Sequence, residues 1–367
     1  HTVTNRPMGP LHFPQQVHPR QSASILRSSF SLESMPLQSS KMSKFMSIDV
    51  SQVMELERPS FGQFVRQVVP LRVSELEECL ALQQASPKRL GEIMLDLGLI
   101  TREQIKETLV LQAKWVANAM RGDLNSTTLP MPTFLSLCLP AYNERPVIRA
   151  MLDSACSILP EFVQKFEVIV VDDGSKDGTG ELVAEYAAKN SNVRLVRHET
   201  NQGYGGAVTS GLRSARGDYV GFMDSDGQFS LLDLPQLLCR LHNNDVVIGF
   251  RYQRAEAWPR RFNAWAWNRL IRAMLGVRVR DLDCAFKIFD RSVVDRLSLT
   301  ATGACINAEI MAQCVRGNLS ISEVPVAHYP RLHGEPTGAN FGVILRAFRE
   351  LPQLWKYRES SLVLGDG

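Results

Sequence analysis

The 367-residue sequence lacks several things, and each gap closes off a class of function. Its seven cysteines (Cys79, Cys138, Cys156, Cys239, Cys284, Cys305 and Cys314) form no Cys-x-x-Cys pair, so no zinc ribbon or dithiol motif is present. Several sit inside apolar patterns, the expectation for buried free thiols in a reducing compartment. No uninterrupted apolar run reaches the roughly 18 to 20 residues of a membrane span, and no basic-then-apolar signal peptide is present. A net charge of +3 is too mild to mark nucleic acid as a main partner. No Gly-Lys-Ser/Thr occurs, which removes the P-loop. Gly203-Tyr204-Gly205-Gly206 has the look of a dinucleotide fingerprint. It follows the third strand-like run rather than the first, and no acidic residue follows it in the required context. These gaps leave a cytoplasmic protein, peripheral on the cytoplasmic membrane face, as the expectation.

What is present divides into segments. Residues 1–55 are rich in Ser, Pro, Gln and Met without sustained periodicity and read as a disordered leader, with Met42 or Met46 as a natural start. Residues 56–117 hold an internal repeat at an offset of 29. It aligns Phe61-Gly62-Gln63-Phe64-Val65 with Leu90-Gly91-Glu92-Ile93-Met94, and Leu71, Leu76 and Leu80 with Ile100, Ile105 and Leu109. Each copy reads as a short helix, a turn and a second helix, giving a small all-α domain. Thr101 with Gln104 and Ser74 with Glu77 are the expected capping boxes. Residues 118–132, polar and punctuated by proline, read as a linker.

From residue 133 the pattern alternates. Apolar strand-like runs at 134–139, 167–171, 193–197, 219–223 and 246–250 are separated by amphipathic helical stretches. That order predicts an α/β domain with a mostly parallel, doubly covered sheet, whose ligands bind beyond the strands' carboxyl ends. The fourth run ends in Asp224-Ser225-Asp226-Gly227-Gln228. Residues two apart point the same way in extended chain, so Asp224, Asp226 and Gln228 converge as hard oxygen ligands suited to Mg2+ or Mn2+. The first run ends in Pro140-Ala141-Tyr142-Asn143-Glu144, where Pro140 is expected to stop the strand and Asn143 to cap the next helix. The second ends in Asp172-Asp173-Gly174-Ser175, where a carboxylate is placed to accept hydrogen bonds from a nucleoside. Singly these read as an acidic turn, a helix cap and a Gly-rich turn.

As an ordered set, these motifs resemble family 2 glycosyltransferases of the GT-A (nucleotide-diphospho-sugar transferase) fold, in particular the dolichyl-phosphate mannose synthase and glucosyltransferase branch. The resemblance covers residues 133–340. It implies nucleoside binding by Pro140, Tyr142, Glu144, Val171 and Asp173, with metal and diphosphate binding by Asp224, Ser225 and Asp226, and Gln228 as a further metal ligand. Arg251 of Gly249-Phe250-Arg251 would lie near the phosphates, and Arg331, after Val324-Pro325-Val326, would bind phosphate. A Lys that some members carry is Thr337 here. The glycines at 203–206 would form a loop close to the donor nucleotide. The implied reaction is transfer of a hexose, with inversion, from a nucleoside-diphosphate sugar (GDP-mannose or UDP-glucose) to a polyprenyl or dolichyl phosphate. A phosphate acceptor is already anionic and needs no base. A hydroxyl acceptor needs one, for which Asp281 and Asp283 stand ready, their plain alternative being to pair with Arg251 or Lys287.

The second repeat copy, beginning Arg89-Leu90-Gly91, resembles the amino-terminal domain of type II secretion and pilus ATPases. Some of those bind cyclic di-GMP through paired Arg-Leu-Gly motifs. Here the first copy carries Ser60 for the Arg and Val69 for the second Gly. Residues 60–114 are thus expected to bind cyclic di-GMP or a protein partner, or to serve structure alone. A non-catalytic effector is the rival reading for the whole chain. Residues 258–275 hold three of the five tryptophans among arginines, the composition of a membrane-surface contact. Residues 341–367 read as an amphipathic helix and tail.

Overall fold

Strands that are apolar on both faces demand cover on both, and helices before, between and after them supply it. The computed structural model describes residues 60–123, 132–252, 269 and 271–331. The expected leader, Thr337, most of the tryptophan-rich stretch and the carboxyl-terminal helix lie outside the described residues.

Four helices come first: α1 Phe61–Val68, α2 Val73–Gln84, α3 Leu90–Asp96 and α4 Arg102–Asp123. α1 and α3 start 29 residues apart, as do α2 and α4. Val65, Cys79, Leu90, Ile93, Met94 and Ile100 form a small core of their own. Thr101 and Gln104 exchange the two bonds of a capping box, at 2.8 and 3.2 Å. Ser74 does not cap. The helix begins one residue earlier, and the Arg72 amide donates to Glu75 at 2.9 Å. α4 also runs on to Asp123, into the stretch expected as linker, because the prolines that end helical pattern, Pro130 and Pro132, come only later. Its Ala113 is buried in the main core, and Lys106 pairs with Asp153 at 3.4 Å.

Seven strands follow: β1 Phe134–Ala141, β2 Lys165–Asp172, β3 Val193–Arg197, β4 Tyr219–Phe222, β5 Val246–Arg251, β6 Lys287–Asp290 and β7 Ile321–Val326. They lie in the order β3-β2-β1-β4-β6-β5-β7. Pairs β1/β2, β2/β3, β1/β4 and β5/β7 are parallel, while β6 runs antiparallel to both β4 and β5. The mostly parallel α/β sheet is therefore what the chain forms. Helices α5 Arg145–Ile158, α6 Thr179–Lys189, α7 Tyr204–Ser214, α8 Leu234–Leu241, α9 Arg291–Arg296 and α10 Ile306–Arg316 lie between and after the strands.

Pro140 does not stop β1, which continues to Ala141. β4 pairing has already ended at Cys138↔Phe222, so a proline without an N–H costs no ladder bond on that side. β6 has no clear sequence signal, being four residues long with a lysine at its start. Lys287 is wholly buried there, its ammonium held by the Leu282 carbonyl at 3.0 Å, by Asn307 Oδ1 at 2.7 Å and by the Cys284 carbonyl. Those bonds fix the 281–284 turn that faces β5.

Candidate active site

The carboxyl ends of β1, β2 and β4 open on one side of the sheet, and the chain's chemistry collects there. After β1, Asn143 takes a left-handed conformation (φ 57°) instead of capping α5. Its side chain accepts from the Lys176 amide at 2.9 Å, tying the first strand-end loop to the second. Glu144 holds the N-cap position, and Asp177 reaches across to accept from the Arg145 amide at 3.1 Å. Tyr142 stands exposed at the rim.

At the β2 end, Val171 is fully buried beneath α7, so its side chain is core and cannot reach a nucleoside. The near-continuous apolar character of a central strand requires this. Asp173 is also buried, and three groups donate to it. They are the Gln202 amide (2.8 Å), the Gly203 amide (2.9 Å) and the His198 imidazole, whose Nδ1 lies 2.6 Å away. His198 Nε2 is 2.8 Å from Ser210 Oγ. Asp173 thus anchors the 198–203 loop. The glycine-rich segment after it is the first turn of α7 rather than a loop. A Cβ on Gly205 would meet the Ala301 carbonyl at 2.4 Å, so its missing side chain serves this close backbone approach.

At the β4 end, Ser225 turns inward and donates to the Pro140 carbonyl at 2.7 Å, fastening β4 to β1. Asp224 and Asp226 flank it. Asp226 accepts from the Gln228 amide through Oδ1 (3.0 Å) and from Arg331 through Oδ2 (3.0 Å). Arg331 also donates to Glu144 at 3.2 Å. Gln228 is drawn away, its side-chain nitrogen donating to the Tyr329 carbonyl at 2.9 Å. Burial, then the nearby Asp226, push Asp224 up to about 6. Burial, partly opposed by Arg331, pushes Glu144 up to about 7. Three carboxylates crowded this way favour a cation. The Tyr204 hydroxyl is buried beside Asp224, whose carboxylate is the polar group it faces. The donor set fits a hard divalent cation that takes two carboxylates and leaves positions for phosphate oxygens. No group of three or more His, Cys, Asp or Glu among the described residues forms a complete protein cage.

Arg251, at the end of β5, is gripped by Asp281: Nε to Oδ2 at 2.7 Å, Nη2 to Oδ1 at 2.9 Å, and its backbone amide to Oδ2 at 3.1 Å. With both oxygens engaged, Asp281 orients the arginine, and its geometry does not suit a general base. Sequence reasoning gave Tyr204 and His198 no role of their own, and Lys287 only that of a partner for Asp281 or Asp283, whereas it holds the 281–284 turn through the Leu282 carbonyl.

The family model for glycosyl transferase family 2 matches residues 136–298. A dolichyl-phosphate beta-glucosyltransferase of Dictyostelium discoideum is 29% identical over 61% of this chain and 77% of that protein. One from Trichomonas vaginalis is 34% identical over 54% of this chain and 66% of its own length. A dodecaprenyl-phosphate galacturonate synthase of Rhizobium johnstonii is 29% identical over 60% of this chain and 65% of its own. For the latter two, the chain spans slightly less than two thirds of the relative. Among solved structures, glucosyl-3-phosphoglycerate synthase of Mycobacterium tuberculosis, in complex with Mn2+ and UDP-glucose, aligns with a TM-score of 0.49 at 21% identity. That alignment covers 66% of this chain and 83% of the other. The matched span begins inside β1 and contains Glu144, Asp173, Asp224, Asp226, Arg251 and Asp281, and it makes this part of the chain a family 2 glycosyltransferase domain.

Proposed function

We propose that the protein transfers a hexose from a nucleoside-diphosphate sugar to a polyprenyl phosphate, inverting the anomeric centre and requiring Mg2+ or Mn2+. The observation that carries this reading is the cluster of Glu144, Asp224 and Asp226 around Arg331 at the ends of β1 and β4. The prenyl-phosphate acceptors named in the relatives support the acceptor class, and two of those names favour glucose, hence UDP-glucose, over mannose.

A divalent cation held by Asp224 and Asp226 would offset the negative charge that grows on the departing diphosphate. The remaining work falls to the chain's own groups. Asp281 holds Arg251 through Nε and Nη2 at the end of β5, so its charge is positioned before substrate arrives. Tyr142 at the rim is placed to stack on the base, and the loop anchored by Asp173 shapes the nucleoside side. Arg331 is placed to hold the acceptor phosphate, whose oxygen is already anionic and needs no proton removed. A hydroxyl acceptor would need a base, and the commitment of Asp281 to Arg251 weighs against that alternative. Among the described residues no helix is long and apolar enough to cross a membrane, and peripheral contact through residues 258–275 is the proposed route to a lipid acceptor. A cyclic di-GMP or protein ligand at residues 60–114 would compete with contacts that Arg89 makes to the transferase domain.

The test uses the full chain with labelled UDP-glucose or GDP-mannose and polyprenyl phosphate in detergent, with and without EDTA. Metal-dependent appearance of a lipid-linked sugar is expected. Transfer unaffected by EDTA, or none with either donor, would falsify this reading.

A further inference from the structure

Beyond the strand ends, the segment Gly227–Phe229 presents three successive carbonyls, and their partners alternate. Gln228 O accepts from the Tyr329 amide at 2.8 Å. Gly227 O and Phe229 O, on the other side, both accept from one guanidinium nitrogen of Arg89, the latter at 3.2 Å. Arg89 therefore stands where the next β-strand would stand, satisfying the carbonyls of a two-sided ribbon. The same guanidinium lies 4.6 Å from the centroid of the Tyr329 ring, so it touches both limbs of the ribbon. One limb begins at Asp226, and the other runs two residues on to Arg331.

The ribbon is held at both ends. Phe229 is buried and bridged to His328, which fixes its far end. At the near end Gly227 has φ 77°, and a Cβ there would meet nothing within 4 Å. That end is held by Arg89, by the Gln228 bonds and, across the two limbs, by the Arg331–Asp226 ion pair at 3.0 Å. Arg89 in turn is not needed for its own helix. The cap of α3 is made by its backbone amide donating to Glu92 at 2.9 Å, and the helical segment is seated on the transferase domain through α4, by Ala113 and the Lys106–Asp153 pair.

We propose that Arg89 is a positioning residue, through which the amino-terminal helical segment holds the Asp226 loop and the Arg331 strand in register. The transferase site is then complete only with that segment docked. The inference rests on the proposed roles of Asp226 and Arg331, but its structural half is measurable without them.

The experiment compares the full-length protein with Arg89→Ala, Arg89→Lys and Tyr329→Leu, and with Lys88→Ala as a neighbouring control whose side chain points to Asp96. Hydrogen exchange of the Gln228 and Tyr329 amides should quicken about tenfold or more in Arg89→Ala, the scale of losing a charge-assisted bond. Exchange in α5 and β1, and the melting temperature, should stay as they were. The Mn2+ concentration that half-saturates binding, read by electron paramagnetic resonance, should rise by a similar factor. Tyr329→Leu should show a smaller rise, Arg89→Lys should recover part of the loss, and Lys88→Ala should match the parent. Unchanged exchange at Gln228 and Tyr329 in Arg89→Ala overturns the proposal, as does a loss confined to global stability. If exchange quickens but the parent protein transfers no sugar, the clamp stands and the transferase reading fails.

Discussion

Two aspartates at the ends of the strands that flank β1, Asp173 after β2 and Asp226 after β4, are both buried yet differently served. Asp173 receives two backbone amides and an imidazole, all from one loop of its own domain. Asp226 sits among other carboxylates, and its long-range partner is Arg331, which it shares with Glu144. A buried carboxylate whose donors are fixed protein groups is structural. One crowded by like charge is set up to take a ligand. Burial alone does not separate the two.

The largest expected effect breaks the comparison from the Asp226 side. Asp226→Ala should remove measurable transfer while changing unfolding free energy by about 1 kcal/mol or less, since losing a charge from a repelling cluster compensates for the lost Arg331 bond. Full activity of this variant in chelator-treated buffer would exclude the metal role. Asp173→Ala should do the reverse to the fold. With two amides and His198 left without their acceptor, chemical denaturation should show a loss of about 2–4 kcal/mol. A stable Asp173→Ala protein defective only in nucleotide binding would make the two aspartates alike after all.

Arg331→Ala comes next, with transfer to lipid phosphate falling about 10²-fold, the scale of losing a strong charge-assisted contact in a transition state. Slow hydrolysis of the donor to free sugar should persist, because Asp224 and Asp226 remain. Equal loss of both activities would instead assign Arg331 to the donor diphosphate. The mildest effect is on pH. Because Asp224 is pushed up to about 6, protons should compete with Mn2+ as pH falls through that value, and affinity should drop by up to roughly tenfold per unit below it. Isothermal titration from pH 7.5 to 5 checks this, and a flat profile would show that burial and Asp226 do not hold Asp224 above the usual carboxylate range.

Much of this architecture is legible in the amino-acid sequence. Five apolar runs correspond to β1 to β5 because central strands leave a composition signal that burial on both faces enforces. The Asp-Ser-Asp spacing puts two carboxylates at one strand end because strand side chains alternate with a period of two. The sequence does not show which strand-end groups the protein satisfies for itself. Val171 stands at an expected binding position and is core. Ser225 fastens two strands, and Gln228 turns to Tyr329. Asp281 is open in the sequence between base and ion-pair partner, and the turn held by Lys287 sets it against Arg251. Arg89 lies 138 residues from the carbonyl of Gly227 that it bonds, and no periodicity spans such a distance. Local pattern determines which residues lie on strands, helices and turns, because backbone geometry repeats over a few residues. Pairing between distant side chains depends on how the helical segment, β6 and the β7 end close around the crevice, and only the tertiary structure decides that.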